Sequence, residues 1–318
     1  MRDDEPIQGV FLSRTLDLES LYGTALRAAG PDIEVLRPEE VSYPEQIRFA
    51  ICWLAEADSF AAYPNLELAM SIGAGVDDLL SNPELSSETA IARVRDPHQA
   101  ALMAGYAAHE VLHVSRNFAR LAASASRAAW EPLPMQAPEA TIVTVLGNGT
   151  MGEAVTRTLR GLGFTLRVAC RTEPERPIED VSYFSGTDAV LTATAGAHFV
   201  INILPLTQAT EAVLNATLFA AMAQGSWLIQ IGRGEHLVES DLIAALDSGQ
   251  LAGATLDVFH AEPLPEDHPF WHDARLRITP HIASDSVPSV VAEQIVTTAR
   301  ELREGAPLSF GVERARGY

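Results

Sequence analysis

Three short fragments of the sequence each carry one residue able to hold an anion or move a proton. They are LIQIGRGEHL around Arg233, TLDVFHAEPLP around Glu262 and ITPHIAS around His281. An arginine can clamp a carboxylate and polarise a neighbouring carbonyl. A histidine can deliver the proton that a carbonyl oxygen needs as hydride arrives at its carbon. A glutamate bonded to that histidine favours the charged ring and fixes its orientation. Each also has a plain reading: a surface arginine, a helix-capping glutamate, a structural histidine. Spacing alone does not decide whether the three form one site.

A fourth fragment, VTVLGNGTMGEAVTRTLRGLGFTLRVACRTEPERP from Val143 to Pro177, reads as strand, glycine turn, helix and second strand. Gly147 permits the tight turn and Gly149 lets backbone approach a pyrophosphate. Gly152 lets helix and strand pack closely, with the N-terminus of a helix that begins at Glu153-Ala154-Val155-Thr156 facing the charge, and Thr150 and Met151 of the turn are further cofactor-binding candidates. Glycines punctuate many turns, so the pattern gains its meaning from the strand before it and the helix after it. A carboxylate at the end of the second strand would read a ribose 2′-hydroxyl. That strand ends instead on Cys170, Arg171 and Thr172, with Arg171 nineteen positions after Gly152. A guanidinium there grips a 2′-phosphate and stacks on adenine, and Thr172 adds a hydroxyl donor. Glu173 and Glu175 beside Arg176 complicate the local charge, and a solvated surface arginine is the plain alternative. The residues favour NADP(H), with NAD(H) also possible.

These residues need a scaffold of alternating strands and helices. Short apolar strands are predicted at Ile7–Leu12, Glu34–Leu36, Phe49–Trp53 and Leu68–Ile72, with a helix over Asp17–Ala29. The fourth strand runs into the loop Gly73-Ala74-Gly75-Val76, where backbone N–H groups can face an anion. Asp96-Pro97 opens one long helix to about Trp130, with Ala107, Val111, Val114, Phe118 and Leu121 as its apolar stripe. Glu131 to Pro138 breaks it. Further strands follow at Ile142–Leu146, Thr165–Cys170, Phe199–Leu204, Trp227–Ile231, Ala254–Val258 and Leu276–Thr279, then a helix over Pro288–Glu304. This βαβ rhythm predicts α/β architecture with parallel doubly wound sheets and ligands at the carboxyl ends of the strands.

With 318 residues, 47% of them hydrophobic, the chain can bury one large core or two medium ones, and the second is favoured. A net charge of −20 speaks against a nucleic-acid partner. Cys52 and Cys170 lie in apolar runs and read as buried thiols of a reducing compartment, so a cytoplasmic location is expected. Neither a signal peptide nor a transmembrane run is read, and no membrane partner is expected.

One motif competes. His109-Glu110-Val111-Leu112-His113 is a formal HExxH, the zinc ligands and general base of many metallopeptidases. On a helical wheel both histidines fall opposite the apolar stripe, and no third ligand is evident from spacing, although Glu131 stays open. The expectation is that no metal is bound. Trp130 and Trp271 read as packing residues.

Together the motifs resemble the D-isomer-specific 2-hydroxyacid dehydrogenase family and, within it, the glyoxylate/hydroxypyruvate reductase A branch. The likeness runs through SIGAGVDDLL, WEPLP, LGNGTMG, LPLTQAT, GRGEHLVESDLIAALDSGQLAGATLDVFHAEPLP, TPHIAS and the terminal RARGY. It implies two Rossmann-like domains with the active site in the cleft between them. Residues 1–102 and 284–318 would form the substrate-binding domain, and residues 103–283 the NADP-binding domain. Arg233 would hold a small 2-oxo or 2-hydroxy acid, His281 would be the acid/base and Glu262 its partner. Trp53, Gly73, Ala74, Gly75 and Val76 would contact the substrate. Leu204, Pro205, Thr210, Ile231, Gly232, Asp257 and Ser284 would join the glycine turn around the cofactor. The resemblance also implies a homodimer, with the long helix near its contact. The chain departs from the family's habit at Gly232, where alanine is more usual, at Gln230, where asparagine often lies, and at Ser284-Asp285-Ser286-Val287. A nucleotide-sensing protein that kept the fold and lost catalysis is the second reading, and a zinc peptidase the third.

Overall fold

The computed structural model describes residues 6–314, so the end of the RARGY segment lies outside the described residues. The chain divides into two compact units, Met1–His98 with Asp285–Tyr318 and Gln99–Ser284. The changeovers fall at 98/99 and 284/285, beside the sequence expectations of 102/103 and 283/284.

In the first unit, β1 (Ile7–Ser13), β2 (Ile33–Leu36), β3 (Ile47–Trp53), β4 (Leu68–Ser71) and β5 (Ala90–Arg93) pair in the order β2-β1-β3-β4-β5. All pairs are parallel. Covered on both faces, such strands read as near-continuous apolar runs, and Phe49, Ala50, Ile51 and Cys52 of β3 are fully buried. Between β1 and β2 runs α1 (Leu18–Ala29), capped by the Asp17 carboxylate accepting from the Ser20 N–H at 3.1 Å. The short α2 (Asp77–Ser81) follows the loop after β4.

The second unit opens with α3 (Pro97–Ser115) and α4 (Phe118–Ser126), where the sequence predicts a single helix. The break is at Asn117, whose φ of 54° is left-handed, a conformation asparagine tolerates better than most residues. Trp130, expected to pack, is instead 97% exposed beyond α4. Trp271 is also exposed, its indole N–H donating to the Pro265 carbonyl at 2.8 Å.

Then come β6 (Ile142–Leu146), α5 (Thr150–Gly161), β7 (Thr165–Cys170), β8 (Val181–Ser185), α6 (Ala189–Thr194) and β9 (Phe199–Asn202). They are followed by α7 (Ala216–Ala221), β10 (Ser226–Gln230), α8 (Glu239–Asp247), β11 (Leu251–Leu256) and β12 (Leu276–Ile278). The strands form one parallel sheet in the order β12-β11-β10-β9-β6-β7-β8. Strand order reverses between β6 and β9, the switch point at which such sheets bind ligands beyond their carboxyl ends. The first unit reverses likewise between β1 and β3. Both units are therefore doubly wound and Rossmann-like.

The chain ends with α9 (Pro288–Glu304), which belongs to the first unit. Its Val291, Ile295, Val296 and Ala299 cluster with Leu18, Tyr22 and Leu26 of α1. Among the described residues both cysteines are buried and unbridged. No described helix is long and apolar enough to cross a membrane.

Candidate active site

Arg233, Glu262 and His281 follow the carboxyl ends of three adjacent strands, β10, β11 and β12. His281 Nδ1 lies 2.8 Å from Glu262 Oε2. The other carboxylate oxygen accepts the Phe259 N–H at 3.0 Å, which fixes the plane of the carboxylate. Burial alone would raise the Glu262 carboxyl. Bonding and charge from His281, the Phe259 N–H and the charge of Arg233 outweigh it and hold the group below its ordinary range. Glu262 is thus an anion at neutral pH, committed to one ring nitrogen, and proton exchange with a ligand falls to the other nitrogen, Nε2.

His281 has a left-handed backbone, φ 54°, which an L residue adopts only where its surroundings enforce it. Asp257 supplies the enforcement. Its carbonyl accepts the His281 N–H at 2.9 Å, and Oδ1 accepts from the Thr279 hydroxyl at 2.6 Å and the Ile282 N–H at 2.9 Å. Oδ2 accepts the Ala283 N–H at 2.9 Å. The Tyr106 phenol from α3 donates to Thr279 Oγ1 at 2.6 Å, and burial pushes that phenol well above its ordinary value, so it stays a donor. Asp257 is 1% exposed, and its carboxylate holds the histidine loop. The Arg233 guanidinium bonds its neighbour, the Gly232 carbonyl, at 2.7 Å. Gly234 must be glycine, since a Cβ there would sit 2.0 Å from the Phe259 backbone.

The glycine turn lies at the switch point, between β6 and α5. Gly147 takes φ 108°, open only to glycine. A Cβ on Gly152 would stand 2.1 Å from the Gly147 carbonyl oxygen, whereas one on Gly149 would meet nothing within 4 Å. The helix α5 begins at Thr150 and Met151 without a side-chain cap, leaving its first N–H groups for an anion. Beside them Asn148 Oδ1 is buried with no hydrogen-bond partner. Arg171 and Thr172 stand exposed immediately after β7. Leu204 and Pro205 follow β9, and Thr210 Oγ1 donates to the Pro205 carbonyl at 2.7 Å. Ile231 and Gly232, both buried, follow β10, and the Ser284 hydroxyl donates to the Gln99 carbonyl at 3.0 Å. The N–H groups that open α5 fit a dinucleotide phosphate.

In the first unit, the loop after β4 turns its carbonyls into the protein. Those of Ile72, Gly73 and Ala74 accept from Ser286 Oγ at 3.3 Å, the Val94 N–H at 3.2 Å and Arg93 Nη1 at 2.9 Å. The Gly73 N–H is spent on the Ser71 hydroxyl at 3.2 Å, so the loop offers the N–H groups of Ala74, Gly75 and Val76, and Gly73 serves it by its close packing instead. Trp53 packs on it so closely that a Cβ at Gly73 would fall 2.7 Å from the indole.

Residues 108–283 match the model of the D-isomer specific 2-hydroxyacid dehydrogenase NAD-binding domain. A glyoxylate/hydroxypyruvate reductase A of Salmonella typhi is 35% identical over 299 residues, 92% of this chain and 95% of the relative. The chain belongs to the D-isomer-specific 2-hydroxyacid dehydrogenase family. Members of this family with solved structures share the whole fold. One from Xanthobacter autotrophicus, in complex with NADPH and MES, is 34% identical, with a TM-score of 0.88 over 99% of this chain and 100% of that one. An NADPH-dependent glyoxylate/hydroxypyruvate reductase from Sinorhizobium meliloti, in complex with NADP and sulfate, is 28% identical. Its TM-score is 0.88 over 98% of this chain and 99% of that one.

The HExxH segment has another role in this family member. Glu110 is 2% exposed and bonds Arg277 through Nε at 2.7 Å and Nη2 at 3.1 Å, and the Thr255 hydroxyl at 2.8 Å. Burial would raise this carboxyl, but the bonds from Arg277 and Thr255 prevail and hold it below its ordinary value. A carboxylate so engaged is no general base. His113 does not lie on a polar face as the helical wheel implies. Its ring is edge-on to Phe118, and its Nε2 lies 3.1 Å from Arg277 Nη1. Glu131, the open third ligand, accepts from the Ser124 hydroxyl at 2.7 Å. The motif ties α3 to β11 and β12, the strands that carry Glu262 and His281.

Tyr106, Thr279 and His236 went unread in the sequence. Thr279 was visible only as a strand end, and Tyr106 lies in an alanine-rich helix with nothing to mark it. His236 sits three residues after Arg233 in a spacing that suggests no ligand.

Proposed function

We propose that this chain reduces small 2-oxo acids to 2-hydroxy acids with NADPH, glyoxylate and hydroxypyruvate being the first substrates to try. The observation that carries the reading is the His281–Glu262 pair, 2.8 Å apart, on the same sheet edge as the glycine turn. When bound, the nicotinamide supplies the hydride. Arg233 aligns the acid through its carboxylate, and in the other unit the N–H groups of Ala74 to Val76 are suited to an anion. His281 gives a proton from Nε2 to the carbonyl oxygen, and the Glu262 carboxylate stabilises the ring while it carries that proton.

NADPH and NADH oxidation measured side by side with a panel of 2-oxo acids tests this. Steady turnover with glyoxylate or hydroxypyruvate is expected, faster with NADPH. Tight NADPH binding without turnover on any acid would instead favour the nucleotide-sensing reading. Replacing Arg171 by Asp removes the phosphate grip and adds a carboxylate that suits a ribose hydroxyl. A charged hydrogen-bonded pair of this kind accounts for about ten- to a hundredfold in kcat/KM for NADPH, with NADH unharmed. Equal losses with both cofactors would refute the role given to Arg171.

The finer expectations on partners and place follow. We infer a homodimer, supported by the exposed apolar side chains of Leu102, Phe118, Trp130 and Met135. Light scattering should give twice the 34.2 kDa of one chain, and a monomer at micromolar concentration would refute it. The buried thiols Cys52 and Cys170 suit the reducing cytoplasm.

A further inference from the structure

We propose that His236 is a positioning residue that sets Arg233 and the 204–205 loop at once, through the two nitrogens of a single neutral imidazole. The inference rests on the reductase reading for the roles of Arg233 and of that loop. His236 is fully buried, yet its ring is bonded on both edges. Nδ1 receives the Arg233 backbone N–H at 3.2 Å and Asn202 Nδ2 at 2.8 Å. Nε2 faces the Pro205 carbonyl at 3.3 Å.

The direction of each bond is fixed by backbone groups, whose donor and acceptor roles are invariant. The Leu204 N–H donates to Asn202 Oδ1 at 3.3 Å, so the Asn202 NH₂ must turn toward Gln230 Oε1, at 2.7 Å, and His236. Gln230 Oε1 also accepts the Gly232 N–H at 3.2 Å, and Gln230 Nε2 donates to the Arg233 carbonyl at 2.7 Å. Nδ1 thus accepts twice and carries no proton. The single ring proton sits on Nε2 and points at Pro205.

Arg233 is consequently held at both of its backbone groups, its N–H by the His236 ring and its C=O by Gln230 and by the His236 backbone N–H at 3.1 Å. The loop after β9 is held by the opposite edge of the same ring. The Pro205 carbonyl also accepts Thr210 Oγ1, so the ring reaches the loop where it folds back on itself. A rigid ring between two loops makes the placement of one depend on the other. Two further residues are fitted to this network. A Cβ at Gly232 would fall 2.8 Å from Asn202 Nδ2 and 2.9 Å from His236 Nδ1, so glycine is what the network admits. Gln230 supplies the reach to the Arg233 carbonyl.

Three variants separate positioning from mere filling. His236→Leu fills the space and removes every bond, and should raise KM tenfold or more for both the 2-oxo acid and NADPH. His236→Asn places an acceptor near Nδ1 and should restore the KM for the acid to within about threefold while that for NADPH stays high. His236→Gln places a donor near Nε2 and should do the reverse. If Asn and Gln are no better than Leu, or Leu matches the parent, the proposal is wrong. A readout independent of turnover is the tautomer: two-bond ¹H–¹⁵N spectra of the histidine-labelled parent, assigned by the signal lost in any folded variant, should show Nε2–H. An Nδ1–H or doubly protonated ring overturns the proposal. A parent that shows Nε2–H but turns over no 2-oxo acid would count against the reductase reading alone.

Discussion

Replacing His281 with alanine is expected to lower kcat for glyoxylate or hydroxypyruvate by about 10²–10⁴-fold, the usual span for loss of a positioned general acid. The affinity for NADPH should stay within a few-fold of the parent, because the glycine turn follows a different strand, β6. The effect is large because the site holds one ring in one place. Nδ1 is taken by Glu262 and the backbone is pinned in a left-handed turn by Asp257, so the proposed proton transfer is left to Nε2. Glu262→Gln keeps a partner for the ring but removes the negative charge that stabilises it when protonated, so its loss should be smaller. Single-turnover kinetics with saturating NADPH checks both. Turnover of the alanine variant near the parent's would sink the acid/base assignment, and a collapse in NADPH affinity would show that the residue acts through the fold instead.

What the sequence disclosed depended on whether the information was local. Strands of the two sheets were visible because parallel strands are nearly continuous apolar runs, as Phe49 to Cys52 is and as Val143 to Leu146 is but for Thr144. The strands that escaped, β5 and β8, lie at sheet edges. Val181–Ser185 has no residue fully buried, so it carries no continuous apolar signal. The break at Asn117 was hidden by an apolar stripe that continues through Phe118, a side chain exposed in the chain by itself. Arg233, Glu262 and His281 were legible as chemical types at strand ends, and the structure brings Glu262 and His281 together. The supports of Arg233 were not legible, since Asn202 comes from a separate strand, and Gln230 and His236, though in the same fragment as Arg233, have no spacing that marks them. The same holds for Glu110: the HExxH spacing is local and legible, whereas its half-buried partner, Arg277, comes from β12.

The two glycines of the turn should separate fold from cofactor. In Gly149→Ala the new methyl meets nothing within 4 Å, and the backbone there, φ −75°, is one alanine accepts. The variant should melt within about a degree or two of the parent, as surface changes free of such clashes do. NADPH binding should nevertheless fall steeply, because the methyl occupies the side on which a pyrophosphate must approach. Gly152→Ala is the opposite case. Its methyl would lie 2.1 Å from the Gly147 carbonyl oxygen, a backbone atom that cannot swing aside, so α5 must move away from β6. Overpacking of this sort costs about 1–3 kcal/mol of stability, and a shift of roughly an ångström in the helix N-terminus costs about a hundredfold in function. Thermal melts paired with NADPH fluorescence titrations measure both quantities for both variants. Gly149→Ala should lose binding alone, and Gly152→Ala both binding and stability. If Gly149→Ala binds NADPH as the parent does, the phosphate does not approach at this turn, whatever the likeness of the fold.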